Sequence, residues 1–131
     1  MNVYWNFSGV KNRETFLIER LQEELKELTY DKILLRHEDI STDEDLENGM
    51  FVEKLFIETS NFRKYYIDLC RFSYRLSENY PMDFVDLFTS EDHDELEYTL
   101  NYYKEFEAAL LNIIKSKKMT TVLENLFSKL S

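Results

Sequence analysis

Asn61-Phe62-Arg63-Lys64-Tyr65-Tyr66-Ile67-Asp68-Leu69-Cys70-Arg71-Phe72-Ser73-Tyr74-Arg75-Leu76-Ser77-Glu78-Asn79 is the stretch on which the fold turns. At helical spacing Phe62, Tyr66, Leu69, Ser73 and Leu76 form one stripe, and Lys64, Asp68, Arg71 and Arg75 another. That pattern predicts a helix over 61–79. Cys70, inside the apolar set, reads as a buried inert thiol, since no neighbouring His activates it.

Downstream, Pro81 suits the first turn of a short helix over Pro81 to Phe88, where its missing N–H costs nothing. Thr89 or Ser90 then reads as the cap of a long helix whose first turn holds Glu91, Asp92 and Asp94. Leu96, Leu100, Tyr103, Phe106, Leu110 and Ile113 carry its apolar face to about Ser116. Thr121-Val122-Leu123-Glu124 matches a capping box and predicts a last helix bearing Leu123, Leu126, Phe127 and Leu130.

Upstream, Leu17, Leu21, Leu25 and Leu28 recur at four- and three-residue steps, predicting a helix from about Lys11 to Leu28 with Arg20 and Glu24 outward. Val3, Trp5 and Phe7 alternate, which suggests a short strand broken by Ser8-Gly9. Lys32 to His37 reads as a strand or as one more helical turn, and Glu38 to Gly49 as a loop. Met50 to Ile57 reads as a strand, being rich in β-branched and aromatic residues. The chain has 131 residues with only two Gly and one Pro, too few turn formers for a sandwich or barrel. The expected fold is a single α+β domain over 1–131, helix-dominated, with a small N-terminal sheet beside a C-terminal helical bundle. An all-α domain is the alternative.

Ten Phe and nine Tyr supply a core and exclude a disordered chain. One Cys cannot form an intramolecular disulfide, no basic-then-apolar leader opens the sequence, and no apolar run approaches a bilayer span. The expectation is a cytoplasmic protein. A net charge of −10 repels nucleic acid and anionic membranes, so the expected partner is a basic protein.

The charge is segregated. Residues 38–58 hold eight acids and one base, and residues 83–107 hold nine acids and one base, with Arg63, Lys64, Arg71 and Arg75 between. Either the segments pair with one another and solvate, or the acids form one anionic surface studded with Tyr98 and Tyr102. The second account makes Asp43, Glu44, Asp45, Glu47, Asp92, Asp94, Glu95, Tyr98 and Tyr102 the candidate partner-binding residues.

No catalytic, cofactor or metal residues are expected. Read as a calcium loop from Asp43, the sequence has Asn48 where Gly is needed and Lys54 where a bidentate Glu is needed. His37 and His93 lack Cys or His partners for a transition metal. Ser8-Gly9 stands where a phosphate-binding turn would, without the remaining glycines of that motif.

In size and charge the chain is similar to small acidic inhibitors such as immunity proteins, antitoxins and phage anti-defence proteins, a likeness resting on no motif. It implies a non-enzymatic protein that masks a basic nuclease or nucleic-acid-binding effector. A nucleotide-processing enzyme on a β-α-β opening, or a homo-oligomeric helical scaffold, are the rival readings.

Overall fold

The structure, a computed structural model, describes residues 4–59, 64–89 and 95–130. A five-stranded antiparallel sheet runs through its middle, in the order β1 (Ile33–Asp39), β2 (Met50–Thr59), β3 (Tyr66–Arg75), β4 (Glu78–Asp86), β5 (Leu96–Leu100). Helix α1 (Arg13–Leu28) precedes the sheet and α2 (Asp43–Glu47) joins β1 to β2. Helices α3 (Tyr103–Ile114) and α4 (Lys117–Leu130) follow the last strand. With 35 % strand against 40 % helix among the described residues, the helix-dominated expectation is overturned, together with the all-α alternative. The sheet is not a small N-terminal unit, because three of its strands come from the stretch read as helices.

The reason lies in β3. Where Leu55 and Phe56 of β2 pair with Cys70 and Asp68, Leu69 is the extra residue of a bulge. Before the bulge Ile67 and Leu69 point to the helix-bearing face; after it Cys70, Phe72 and Tyr74 do. Each half alternates, but the phase jumps by one residue, and a jumped period-two pattern mimics a helical stripe.

Residues 81–88 are not a helix either. Tyr80, Met82, Phe84 and Asp86 alternate inward along β4. Pro81, with a cis peptide bond to Tyr80, lies where the ladder between Ser73 and Arg75 of β3 is irregular, so its missing donor breaks no regular pairing. The long helix expected from Thr89 divides into β5 and α3. Thr89 serves Asp86: its hydroxyl, its N–H and that of Phe88 all donate to that buried carboxylate, while Ser90, the other expected cap, lies outside the described residues. The last helix opens earlier than Thr121, because Ser116 Oγ accepts from the Met119 N–H at 3.1 Å.

The expected strand over Val3 to Phe7 is not formed by its described part, Tyr4 to Phe7, and β1 and β2 are antiparallel neighbours, so no β-α-β opening exists among the described residues. The helix over 11–28 and the strands near 32–37 and 50–57 are present as α1, β1 and β2. Glu38 to Gly49 holds a capped helix, α2, as well as loop.

Helices α1, α3 and α4 cover one face of the sheet. Phe106 of α3 sits edge-on to Phe72, with ring centroids 5.3 Å apart, and to Phe84 at 6.3 Å. Leu17 and Ile18 of α1, Ile33, Leu35, Leu55 and Ile57 of the strands, and Leu110 and Ile113 of α3 complete the core. The other face carries ion pairs in place of a covering layer. Arg36 binds Glu58 at 2.8 Å, Lys64 approaches the same carboxylate at 3.6 Å, and Lys54 lies 3.5 Å from Asp68.

Candidate functional site

From Glu38 to Glu53 the chain carries seven carboxylates and no Lys or Arg. The fold makes most of this stretch a rigid acidic tip. Thr42 and Asp45 form a reciprocal capping box: the Asp45 N–H donates to Thr42 Oγ1 at 3.1 Å, and the Thr42 N–H donates to the Asp45 carboxylate at 2.9 Å. Asp43, Glu44 and Asp45 occupy the first turn, where the free N–H groups and the helix dipole favour negative charge.

Ser41 ties the tip to β2, its Oγ accepting from the Val52 N–H at 2.8 Å. Gly49, at φ 68°, takes the left-handed turn that returns the chain, and its carbonyl accepts from the Leu76 N–H of the β3–β4 hairpin at 2.8 Å. Ser41 also donates through side chain and backbone to Asp39, which holds that carboxyl below its ordinary value.

Among the described residues Asp43, Glu44 and Glu47 enter no ion pair. Two leucines stand among these charges: Leu46 is 51 % exposed and Leu76 69 %.

The second set of candidate residues lies elsewhere. Glu95, Tyr98 and Tyr102 belong to β5 and its flanks, the opposite edge of the sheet from the β1–β2 connection. Four strand spacings of about 4.8 Å separate the edges, so roughly 19 Å of sheet lies between the two acidic groups. Glu95 pairs with Arg71 at 3.6 Å, as the account of mutually pairing segments expects. Tyr98 and Tyr102 are exposed, while Tyr103 packs on the core. Asp92 and Asp94, with His93 and Arg63, lie outside the described residues. The nine candidates therefore do not form one surface in the part described.

A third feature escaped the sequence reading. Under the N-terminal turn of α1, His37 Nε2 lies 2.5 Å from Glu53 Oε1, and Tyr80 donates to the buried Glu14 carboxylate at 2.6 Å. Burial, then the Glu53 carboxylate, push the Tyr74 hydroxyl above its ordinary value; burial, then Glu14, do the same to Tyr80. Glu14, His37, Glu53 and Tyr74 are acid–base groups, but the cavity they line is about 10 Å³, room for about one water. Glu14 ties α1 to β4 through Tyr80 and Asn79, His37 and Glu53 tie β1 to β2, and the space between them is too small for a substrate. Nothing in the sequence pairs Glu14 with Tyr80, which stand 66 positions apart.

An apolar groove of about 440 Å³ also opens between α1 and α3, with Leu35, Ile57 and Leu69 as its floor and Arg20, Glu24, Glu107 and Lys115 at its mouth. Cys70 is fully buried, and desolvation together with Asp86 pushes its thiol up, away from reactivity. No group of three or more metal-ligating side chains occurs among the described residues, and none of their helices is long and apolar enough to cross a membrane.

Comparison decides nothing further. No protein-family model, curated protein or solved structure matches the chain significantly.

Proposed function

We propose that this protein is a non-enzymatic binding protein that masks a basic protein partner, and that the α2 tip is its point of contact. One observation carries the reading: Asp43, Glu44 and Glu47 project from a capped, tethered helix in a base-free stretch and are left unpaired among the described residues. Carboxylates held this way keep their full field for an incoming cation and accelerate encounter. Leu46 and Leu76 supply apolar anchors at the same end of the sheet. A protein that grips nucleic-acid phosphates must itself present clustered Lys and Arg, so a nuclease or other nucleic-acid-binding effector is the class of partner proposed. The proposal places this encounter in the cytoplasm, supported by a fold that draws on no disulfide.

The test is affinity capture from the lysate of the source cells, at low and at moderate salt, with the wild type and with Asp43→Lys/Glu44→Lys/Glu47→Lys. The reading expects a basic protein that is retained by the wild type, released by salt, and lost on charge reversal while the fold survives. Equal retention by both chains would sink it.

A further inference from the structure

Tyr4, Trp5, Phe7 and Val10 are 94, 79, 75 and 76 % exposed, although such side chains ordinarily seek cover. They lie on an irregular arm that precedes α1. In an extended chain Trp5 and Phe7 fall on one side and Tyr4 and Asn6 on the other, the period of a strand that has no sheet. Residues 1–10 carry no charged side chain.

A sheet edge able to receive such a strand exists, and it is not β1. The Leu35 carbonyl on β1 is capped by Gln22 Nε2 at 3.1 Å, with α1 packed over that strand. β5, by contrast, pairs with β4 in five consecutive positions without a bulge, contains no Pro or Lys, and has no neighbouring strand on its outer side among the described residues. Of the devices natural edges use to prevent pairing, β5 has its shortness and Glu97, but no Pro, Lys or bulge. Leu96 and Tyr98, 40 and 45 % exposed, share the helix-bearing face with the buried Leu100. Glu95 and Glu97 flank them, so the edge favours a strand without carboxylates.

The arm does not reach its own β5. Lys11 is tied to Glu19 at 2.5 Å, and Glu19 lines a surface groove with Gln22, Leu35 and Arg36, on the β1 side of α1. Lys11 is thus held along α1 on its β1 side although Arg13, the first residue of the helix, stacks on Tyr103 at 4.6 Å, and Gly9, at φ 75°, turns the chain beyond.

We infer that residues 4–7 add as a sixth strand to the outer edge of β5 in a second copy of this chain, and that reciprocal exchange of arms makes a homodimer. Trp5 and Phe7 then continue the apolar row of Leu96, Tyr98 and Leu100. This inference is independent of the α2 tip.

Trp5 is the only tryptophan, so its emission reports the contact directly. Emission and mass are to be followed across the micromolar range, the mass by sedimentation or light scattering. The expected result is a blue shift that grows with concentration alongside a doubling of mass. The doubling is lost on deleting residues 2–8 or in Trp5→Ser/Phe7→Ser, and both signals are lost in Leu96→Lys/Tyr98→Lys. Deletion of an exposed arm spares the fold, so it decides the matter even where the edge variant is unstable. A monomer with water-exposed Trp5 at every concentration overturns the inference. So does a monomer with buried Trp5, which means the arm folds on its own chain, and so does a dimer that survives the deletion.

Discussion

The two edges of the sheet are finished in opposite ways. At β1, helix α1 lies over the strand, Gln22 caps the Leu35 carbonyl, and the acidic tip of α2 closes the end where β1 turns into β2. At β5 the strand is regular, its outer side is unpartnered among the described residues, and Leu96 and Tyr98 remain half open. The same excess of carboxylate surrounds both. Charge alone therefore does not say what an acidic segment is for; the local structure decides. On a capped helix, and in no ion pair among the described residues, Asp43, Glu44 and Glu47 of α2 stay exposed. Beside a strand edge, Glu95 is drawn to Arg71 and apolar side chains dominate the opening.

The contrast can be broken most decisively in the core. Ile18 of α1 is 1 % exposed, whereas Tyr98 at the other edge is 45 % exposed. Ile18→Ala should cost about 2–5 kcal/mol in urea unfolding and Tyr98→Ala less than about 1 kcal/mol. Comparable losses would mean that the β5 edge is covered after all.

Next in size is the cap of the acidic tip. Thr42→Ala removes the acceptor for the Asp45 N–H and should cost about 1 kcal/mol. Amide exchange should quicken across residues 43–48 while β5 is unaffected. A uniform change across the chain would show that α2 is not the separate, locally held element described.

Gln22→Ala sharpens the comparison from the blunted side. Uncapping the partly buried Leu35 carbonyl should cost roughly 0.5–1 kcal/mol. It should also give β1 some tendency to self-associate, read as a concentration-dependent mass in a background lacking residues 2–8.

The smallest effect concerns acid. The Arg36 hydrogen bond, working against desolvation, holds the Glu58 carboxyl below the ordinary glutamate value of 4.5. A carboxylate lowered in the folded state stabilises above its unfolded value, and that contribution disappears as pH falls through the folded one. Arg36→Ala should therefore lower stability at neutral pH and reduce the further loss on acidification below 4.5. An undiminished acid loss in the variant would remove the pair from the account.

Helix α1 was legible because its leucines repeat without interruption, and β2 because β-branched and aromatic residues gather in it, whereas the short apolar run of β1 fits a strand and a helical turn equally well. β3 was not legible. The bulge at Leu69 is set by β2, a partner far along the chain, and no local pattern announces a phase jump that exists only when two strands meet. β5 and α3 were read as one helix because Leu96, Leu100, Tyr103 and Phe106 keep helical steps across a break at Asn101–Tyr102 that carries neither Gly nor Pro. Of the candidate site, the exposure of Asp43, Glu44 and Glu47 followed from composition. Their separation from Glu95 and Tyr98 did not, since it depends on strand order. The cluster of Glu14, His37, Glu53 and Tyr80 joins residues from four elements and leaves no trace in any one of them.

The most direct test compares the two edges in one binding experiment. Retention of a basic partner should be measured for the wild type, for Asp43→Lys/Glu44→Lys/Glu47→Lys and for Leu96→Lys/Tyr98→Lys, at matched salt and with folding verified for each. The account predicts that reversal of the α2 tip abolishes retention and that the β5 variant keeps it. Retention that survives on the reversed tip and vanishes with the altered β5 edge would contradict it.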